Sequence, residues 1–348
     1  MVVAVRRAAA WATILHTLGL ASAALVNTAL VFVKPHAATD ACEKFVVDHL
    51  AQAGVRVVRS GVKLADEIES EKLIDQHYGS LARLAMEVQP ADMDLSSKAT
   101  AAFAETFGVE WSAALGSMLR NDEAMAKLGV DGVALEPMWR SGTQCKLAPG
   151  TYVSRLAGTA EPTYTINGFY PAMRQQFVEA GAEVRYLVCE FEEAEVSWAR
   201  FRREVIGATN PAEAAAGSAR AKLLARWQEL GLGAEPSYGQ NGVHASAGPL
   251  EGLKERCVWS GASLATDALA AQLVAGGLPL PTLEEWLRDN PVVTLGGETD
   301  KIFDLTEEAS TDAVLELCRA APPAGGEPAE EAAPREGAYE YAPAMEMF

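Results

Sequence analysis

Residues 28–33, Thr-Ala-Leu-Val-Phe-Val, have the β-branched and aromatic composition that is typical of a buried β-strand. Thr39 then begins an amphipathic helix predicted over 39–53. Gly54 follows directly, at a position where glycine commonly ends a helix. A second strand is predicted over 55–64. This part of the chain therefore predicts one β-α-β unit.

The same alternation returns later in the chain. It predicts helices over 66–78, 170–179, 195–206 and 250–259, and strands over 184–191 and 242–246. Two β-α-β units with interposed helices form the split βαβ, or ferredoxin-like, arrangement. This is an α+β fold, βαββαβ, in which a four-stranded antiparallel sheet carries covering helices on one face. Residues at about 79–168 interrupt the pattern and predict a mostly helical insertion, with helices near 97–106 and 109–128.

The composition restricts the partners. The 348 residues include 29 Lys and Arg against 47 Asp and Glu, which gives a formal net charge of −18. This balance disfavours nonspecific attraction to nucleic acid or to an anionic membrane surface, so neither is expected as a partner. A polyanion would need a few locally concentrated cations. The five cysteines are scattered without metal-finger spacing, so neither a disulfide framework nor a zinc ribbon is predicted.

The two ends of the chain differ from the rest. Near the start, Arg6 and Arg7 precede an apolar stretch over 8–24, which resembles a signal peptide or an organellar transit segment. An extra amphipathic helix packed on the domain is the alternative. A stable membrane span is not expected, because the apolar run is short and interrupted. A secretory or organellar compartment is therefore predicted, with the cytoplasm as the alternative.

The far end is rich in Pro, Gly, Ala and Glu and is predicted to be a disordered acidic tail. The predicted organisation is a leader over 1–26, a main domain over 27–260 with its insertion, a C-terminal extension over 261–319 and the tail over 320–348.

Several polar residues stand out from their surroundings. Lys34 follows the first strand, and Arg203 lies in a basic run within an acidic protein. Residues 207–213, Gly-Ala-Thr-Asn-Pro-Ala-Glu, place Thr209 in a turn, and Arg220 follows soon after. A hydroxyl, free backbone donors and a bidentate cation are groups that a triphosphate needs. Taken singly, each has an ordinary alternative: a lysine that reaches solvent, an exposed helix face or a helix-capping loop.

A histidine lies on the last predicted strand of the sheet. His244 ends the sequence Asn241-Gly-Val-His, and Glu255 follows eleven residues later. A single histidine on a short strand is more often structural than catalytic, so the combination carries the prediction.

In this order, the lysine, the Thr-Asn-Pro turn, the arginine, the Asn-Gly-Val-His motif and the later glutamate resemble the nucleoside diphosphate kinase family. His77 and Tyr78 at the end of the second helix extend the match, as does Trp259 four residues after Glu255. The resemblance covers residues 28–78 and roughly 167–260.

The resemblance implies a function. His244 would take the γ-phosphoryl group from a nucleoside triphosphate and pass it to a nucleoside diphosphate, and Glu255, directly or with Ser246, would fix its tautomer. The resemblance also implies phosphate contacts from Lys34, Arg203, Thr209 and Arg220, a ribose contact from Asn241, and Tyr78 over the transferred phosphate. Mg²⁺ bridging the phosphates and a possible homo-oligomer are implied as well. Phe169 or Tyr170 is the expected stacking surface for the base.

The chain also departs from the family pattern. His36 and Ala37 stand where Asp-Gly is usual, Ala221 replaces a glycine, and only Ser246 of the usual Gly-Ser-Asp remains after the histidine. The insertion falls where the family covers the nucleotide, and the longer stretch over 220–241 puts a hexamer in doubt. The insertion could be a lid or simply structural. The alternative function is a catalytically weak nucleotide-binding or scaffolding module of the same fold.

Overall fold

A computed structural model describes residues 26–148 and 150–319, so the predicted leader (apart from residue 26) and the predicted acidic tail lie outside the described residues. The described chain is an α+β protein with antiparallel sheets and many helices.

The strands fall into three antiparallel sheets. The described strands are β1 (Asn27–Val33), β2 (Arg56–Leu64), β3 (Thr143–Ala148), β4 (Thr151–Arg155), β5 (Tyr164–Ile166), β6 (Glu183–Phe191), β7 (Val243–Ala245), β8 (Val292–Leu295) and β9 (Glu298–Lys301). The largest sheet has the order β2-β6-β1-β7, which places β1 and β7 side by side. All four strands predicted from the sequence are therefore present in this sheet.

The helices account for most of the remaining chain. The described helices are α1 (Asp40–Gln52), α2 (Ala65–Ser70), α3 (Leu73–Tyr78), α4 (Ser80–Met86), α5 (Ser97–Phe107), α6 (Trp111–Ala114), α7 (Asn121–Leu128), α8 (Gly132–Arg140), α9 (Tyr170–Val178), α10 (Trp198–Arg200), α11 (Ala219–Arg226), α12 (Pro249–Ser260), α13 (Ala268–Ala275), α14 (Leu280–Asp289), α15 (Ile302–Thr306) and α16 (Thr311–Arg319). A π-helical segment, Phe201–Ile206, continues α10, and 3₁₀ turns occupy Pro35–Ala37, Pro90–Asp92 and Leu115–Ser117.

Local capping explains where the first helix begins. The Thr39 hydroxyl accepts a hydrogen bond from the Cys42 N–H at 3.0 Å, which satisfies one of the free donors of α1. The predicted helix over 66–78 is instead two helices, because Lys72 adopts a left-handed conformation with φ 54° and breaks the run between α2 and α3.

Both faces of the four-stranded sheet are covered, whereas the sequence predicted helices on one face. Along β1, Val31 belongs to one buried cluster together with Val46 of α1 and residues of the π segment. The adjacent Phe32 belongs to a second cluster that includes Ile74 of α3 and Trp259 of α12. Neighbouring residues of a strand point to opposite faces, so the apolar run over 29–33 of β1 is that of a strand buried on both sides.

The insertion is less helical than predicted. It contains α4 to α8, but also the three-stranded sheet of order β3-β4-β5. A separate buried cluster, which includes Phe103 and Tyr164, packs this sheet against α5. The Asn121 side chain donates to Ala85 O and Ile166 O, both at 2.8 Å, and so joins the sheet to α4. The strands are short and weakly patterned, so their pairing depends on these tertiary contacts.

The C-terminal extension packs on the helix that follows the last strand of the main sheet. Residues of α13, α14 and α16 form a buried cluster with Leu250 and Leu253 of α12. The turn after α15 lies against the chain just beyond β7, where Glu308 N–H donates to Ala247 O at 2.9 Å. No helix among the described residues is long and apolar enough to cross a membrane.

Candidate active site

His244 is held on the edge strand of the four-stranded sheet, beside β1. It lies on β7, directly opposite Phe32 of β1 in the antiparallel ladder. The two rings stack with centroids 4.6 Å apart and an interplanar angle of 26°. The ring of His77, from α3, meets the imidazole edge-on at 4.7 Å. Aromatic contacts on two sides therefore restrict the orientation of the His244 ring.

A buried carboxylate fixes one nitrogen of this ring. His244 Nε2 lies 2.6 Å from Glu255 Oε1, and Ser246 donates its hydroxyl to Glu255 Oε2 at 2.6 Å. The same hydroxyl oxygen accepts the Leu30 N–H at 2.9 Å, which anchors it to β1. When Glu255 is ionised it can only accept, so the pair then carries its proton on Nε2 and leaves a lone pair on Nδ1.

The surroundings keep the imidazole neutral. Burial, followed by the nearby charges of Lys34 and Arg220, lowers the pKa of His244 well below its usual range. Burial also raises the pKa of Glu255, an effect that the Ser246 hydroxyl and two neighbouring cations oppose. A neutral imidazole with a free Nδ1 is the nucleophilic form of histidine.

Two cations lie beside the histidine without a carboxylate partner among residues 26–148 and 150–319. The backbone N–H of Lys34 donates to Gly242 O at 2.9 Å, which joins the end of β1 to the segment that precedes β7. Arg220, on α11, donates to Gly207 O at 2.8 Å and to Val243 O at 2.9 Å and 3.3 Å. Arg220 makes three of its five possible donations in this way, so N–H groups remain for a ligand.

Their electrostatics indicate a site for an anion. Burial and the charge of Arg220 lower the pKa of Lys34 to about 7. Burial, followed by the charge of Arg202, lowers the pKa of Arg220 to about 10. Buried charges are normally paired, so two adjacent cations without a carboxylate are costly until an anion binds.

A cavity of about 200 Å³ opens beside this group. Its walls include Lys34, His36 and Tyr78, apolar Phe177 from α9, and Glu136 from the insertion. His244 does not line this cavity, but the His77 ring contacts both the imidazole and the Tyr78 ring. The insertion therefore helps to close the space in front of the site.

Asn241 and Thr209, two of the residues predicted to contact the nucleotide, are hydrogen-bonded to each other. The Asn241 amide donates to Thr209 O at 3.1 Å and to Tyr238 O at 3.4 Å. Asn241 is only 2% exposed, and its Oδ1 is buried without a hydrogen-bond partner among the residues that the structure describes. A buried amide oxygen without a donor is uncommon and is available to a ligand hydroxyl.

Arg203 is held differently from the other predicted contacts. Its Nε donates to Glu308 Oε1 at 3.0 Å, and its Nη2 donates to the other oxygen of the same carboxylate. Its side chain is 60% exposed. Arg202, one residue earlier, pairs with Glu307 and with Glu308. The structure thus brings His244, Glu255, Lys34 and Arg220 together and pairs Arg203 with the C-terminal extension.

The expectation for the base was wrong. Phe169 and Tyr170 are both completely buried, and Tyr170 donates its hydroxyl to Asp75 at 2.6 Å. Neither ring offers a surface on which a base could stack. The apolar side chains on the cavity wall are instead Met173 and Phe177, on later turns of α9. The helix was predicted correctly, but its burial depends on the insertion packed over its beginning, where Trp139 contacts Phe169.

Sequence reasoning assigned no role to His77. Its Nδ1 accepts the Trp259 indole N–H at 3.3 Å and lies 3.6 Å from Glu255 Oε1. Burial and the neighbouring His244 lower its pKa well below the usual range. In the sequence, the one indication that His77 lies at the site was its position directly before Tyr78, a predicted site residue.

His77, His244 and Glu255 are also the residues that could hold a metal ion, with ligand atoms within 4.8 Å of one another. Two imidazoles suit a transition metal better than Mg²⁺, which prefers oxygen ligands. The described residues therefore provide no carboxylate set for resident Mg²⁺.

Comparison with known proteins shows similarity of the backbone structure but no match at the level of sequence. No family model and no curated protein sequence matches the chain. Three solved nucleoside diphosphate kinases are similar in structure. The Encephalitozoon cuniculi enzyme has 14% identity and a TM-score of 0.33, over 68% of this chain and 90% of its own. The Aquifex aeolicus enzyme has 17% identity and a TM-score of 0.30, over 67% of this chain and 94% of its own. The Pyrobaculum aerophilum enzyme has 15% identity and a TM-score of 0.31, over 68% of this chain and 96% of its own. TM-scores this low carry no argument about function, which must rest on the side chains.

Proposed function

We propose that this protein is a nucleoside diphosphate kinase that transfers the γ-phosphoryl group through a phosphohistidine on His244. The observation that carries the proposal is a neutral imidazole, fixed at Nε2 by Glu255, beside Lys34 and Arg220, which have no carboxylate partner among the described residues. If His244 were only structural and Lys34 only reached solvent, a fixed neutral imidazole beside these two cations would not be needed. The strand order β2-β6-β1-β7 is the order that the ferredoxin-like fold of this family would have.

The chemistry follows from the free Nδ1 of His244. Its lone pair attacks the γ-phosphorus of the donor, an N–P bond forms, and the bond to the bridging oxygen breaks to release the nucleoside diphosphate. The terminal phosphate oxygen of the acceptor diphosphate then attacks the same phosphorus and restores the neutral imidazole. The Nε2–H bond to Glu255 stabilises the positive charge that develops on the ring in both steps.

The surrounding groups would bind and orient the phosphates. Lys34 and Arg220 would neutralise the oxygens of the transferring group, on which charge accumulates. Tyr78 would lie over that group, and Thr209 would donate its hydroxyl to an oxygen. Asn241 Oδ1, which has no hydrogen-bond partner in the described part of the chain, would accept a hydrogen bond from a ribose hydroxyl.

Arg203 and Mg²⁺ would complete this arrangement. Arg203 would bind phosphate after leaving Glu308. Mg²⁺ would arrive on the nucleotide phosphates, since the described residues offer no set of oxygen ligands for it.

A catalytically weak binding module of the same fold is the second candidate. The observation that favours it is the engagement of Arg203 by the extension, together with the insertion residue Glu136 in the wall of the cavity. A carboxylate near incoming phosphates opposes binding. In this case the protein would bind nucleotide without forming a phosphoenzyme.

One experiment separates the two candidates. The protein is incubated with γ-labelled ATP, and the acid-labile, alkali-stable label is measured before and after addition of GDP. We expect stoichiometric label that GDP removes as GTP and that His244→Ala abolishes. His49→Gln is the matched control, because His49 is bonded to Val205 O outside the site. Nucleotide binding without label would support the binding module, and label retained in His244→Ala would refute the proposed nucleophile.

A further inference from the structure

A second cavity, of about 390 Å³, lies between the main domain and the C-terminal extension. It shares no lining residue with the cavity beside Lys34. Helices α3, α4, α12 and α14 supply most of its walls. Its volume falls in the range of cavities that hold small organic molecules.

The apolar part of the wall comes from three directions. Ala82 lies on α4, Val258 on α12 and Leu287 on α14, and Cys257 and Leu264 add to the same surface. Most of the ionisable groups in the wall already have partners. Asp75 is bound by Arg174, and Asp289 is bound by Arg288.

Lys254 differs from the other ionisable residues of the wall because it is buried. It lies on α12, is only 8% exposed, and lines the cavity. It forms no hydrogen bond or salt bridge with the described residues, and its ammonium group makes a cation–π contact with Phe303, whose ring centroid lies 5.5 Å away. A Cβ atom added to Gly79, another lining residue, would be 3.0 Å from Nζ, so the ammonium lies at the cavity wall.

A cation buried to this degree is normally paired, and here the space beside it is open and partly apolar. We propose that this cavity binds a small organic carboxylate, whose anionic group pairs with Lys254 and whose apolar chain lies along Val258 and Leu287. Glu87 and Glu284 also line the cavity and disfavour a second negative charge on the ligand.

The position of Lys254 on α12 links this cavity to the candidate active site. Lys254 precedes Glu255 on α12, so the ligand would lie one residue away from the carboxylate that fixes His244.

The test uses sodium octanoate as the probe and isothermal titration calorimetry on the full chain. We expect saturable binding at one site, weakened about tenfold or more by Lys254→Met, because a charge-assisted hydrogen bond is lost. Lys44→Met is the matched control, since Lys44 is exposed and paired with Asp48. Val258→Trp, which fills the cavity without removing the charge, should also abolish binding, and 1-octanol should bind more weakly than octanoate.

Two results would overturn this proposal. One is the absence of saturable binding by folded wild-type protein, with folding checked by circular dichroism. The other is octanoate affinity unchanged in both Lys254→Met and Val258→Trp. The outcome is independent of the kinase proposal, because His244→Ala should bind octanoate like the wild type even though it forms no phosphoenzyme.

Discussion

Binding of a nucleoside diphosphate should take up a proton at Lys34. In the free protein, burial and Arg220 hold the pKa of this lysine to about 7. At pH 7.5 only about a quarter of the molecules then carry the charged ammonium. A phosphate charge about 4 Å away contributes roughly 4 kcal/mol at an effective dielectric constant of about 20, which raises the pKa by about 3 units, to near 10.

The magnitude follows from these two values. At pH 7.5 the bound form is fully protonated, so binding should take up about 0.75 of a proton per site. At pH 6, where Lys34 is already charged, the uptake should fall to about 0.1. The sign is fixed because the bound anion favours the ammonium form, so affinity should weaken as the pH rises above 7.

The assay is isothermal titration calorimetry of Mg-ADP in buffers that differ in ionisation enthalpy. The dependence of the observed heat on that enthalpy gives the number of protons taken up. Lys34→Met should remove the uptake at pH 7.5, whereas Lys44→Met, at an exposed ion pair, should retain it. Equal proton uptake by wild type and Lys34→Met would refute the assignment of Lys34 as a neutral lysine that charges on binding.

Three further substitutions test the neighbouring groups. Glu308→Gln should lower the KM for the donor nucleotide about two- to fivefold at unchanged kcat, because a partly exposed ion pair with Arg203 is worth up to about 1 kcal/mol. Gly207→Ala should lower the free energy of unfolding by about 2–4 kcal/mol in urea titrations. Gly207 has φ 96°, and a Cβ there would lie 2.3 Å from Ser218 Oγ. Ser246→Ala should slow phosphoenzyme formation in rapid-quench measurements by about 10–100-fold, because the catalytic carboxylate loses a donor at 2.6 Å.

Each substitution has a control at a comparable site. Glu316→Gln removes an exposed glutamate on α16 and should leave KM unchanged. Gly217→Ala adds a methyl group where no atom lies within 4 Å and should change stability little. Ser70→Ala removes an exposed hydroxyl and should leave the rate of phosphoenzyme formation unchanged. If a control variant behaved like its test variant, the corresponding explanation would be wrong.

The elements of the main sheet were accessible from sequence because their signals are local. The run over 29–33 is apolar throughout, and Thr39 caps α1 as expected. The sheet of the insertion was not predicted, since its short strands Thr151–Arg155 and Tyr164–Ile166 are defined by their pairing and not by their own pattern. The apolar run of β1 was compatible with burial on both faces, but it did not identify the elements that cover each face.

For the candidate site, the sequence identified the chemical groups but not their partners. His244 and Glu255 were assigned together, and the 2.6 Å contact between them agrees with that assignment. The pairing of Arg203 with Glu308 joins residues 105 positions apart. We found no sequence motif in the extension that predicts this ion pair. The burial of Tyr170 depends in the same way on packing by the insertion.

The amino-acid sequence by itself determined the strands and helices of the sheet domain and the kinds of polar groups that lie at their ends. These depend on side-chain periodicity, capping and charge, which act over a few residues. Only the tertiary structure decided which cations have no carboxylate partner within the described part of the chain, as Lys34, Arg220 and Lys254 do not, and which form a salt bridge, as Arg203 does. The physical reason is that burial and charge pairing depend on distances between elements, and these distances exist only once the insertion and the extension have packed on the sheet.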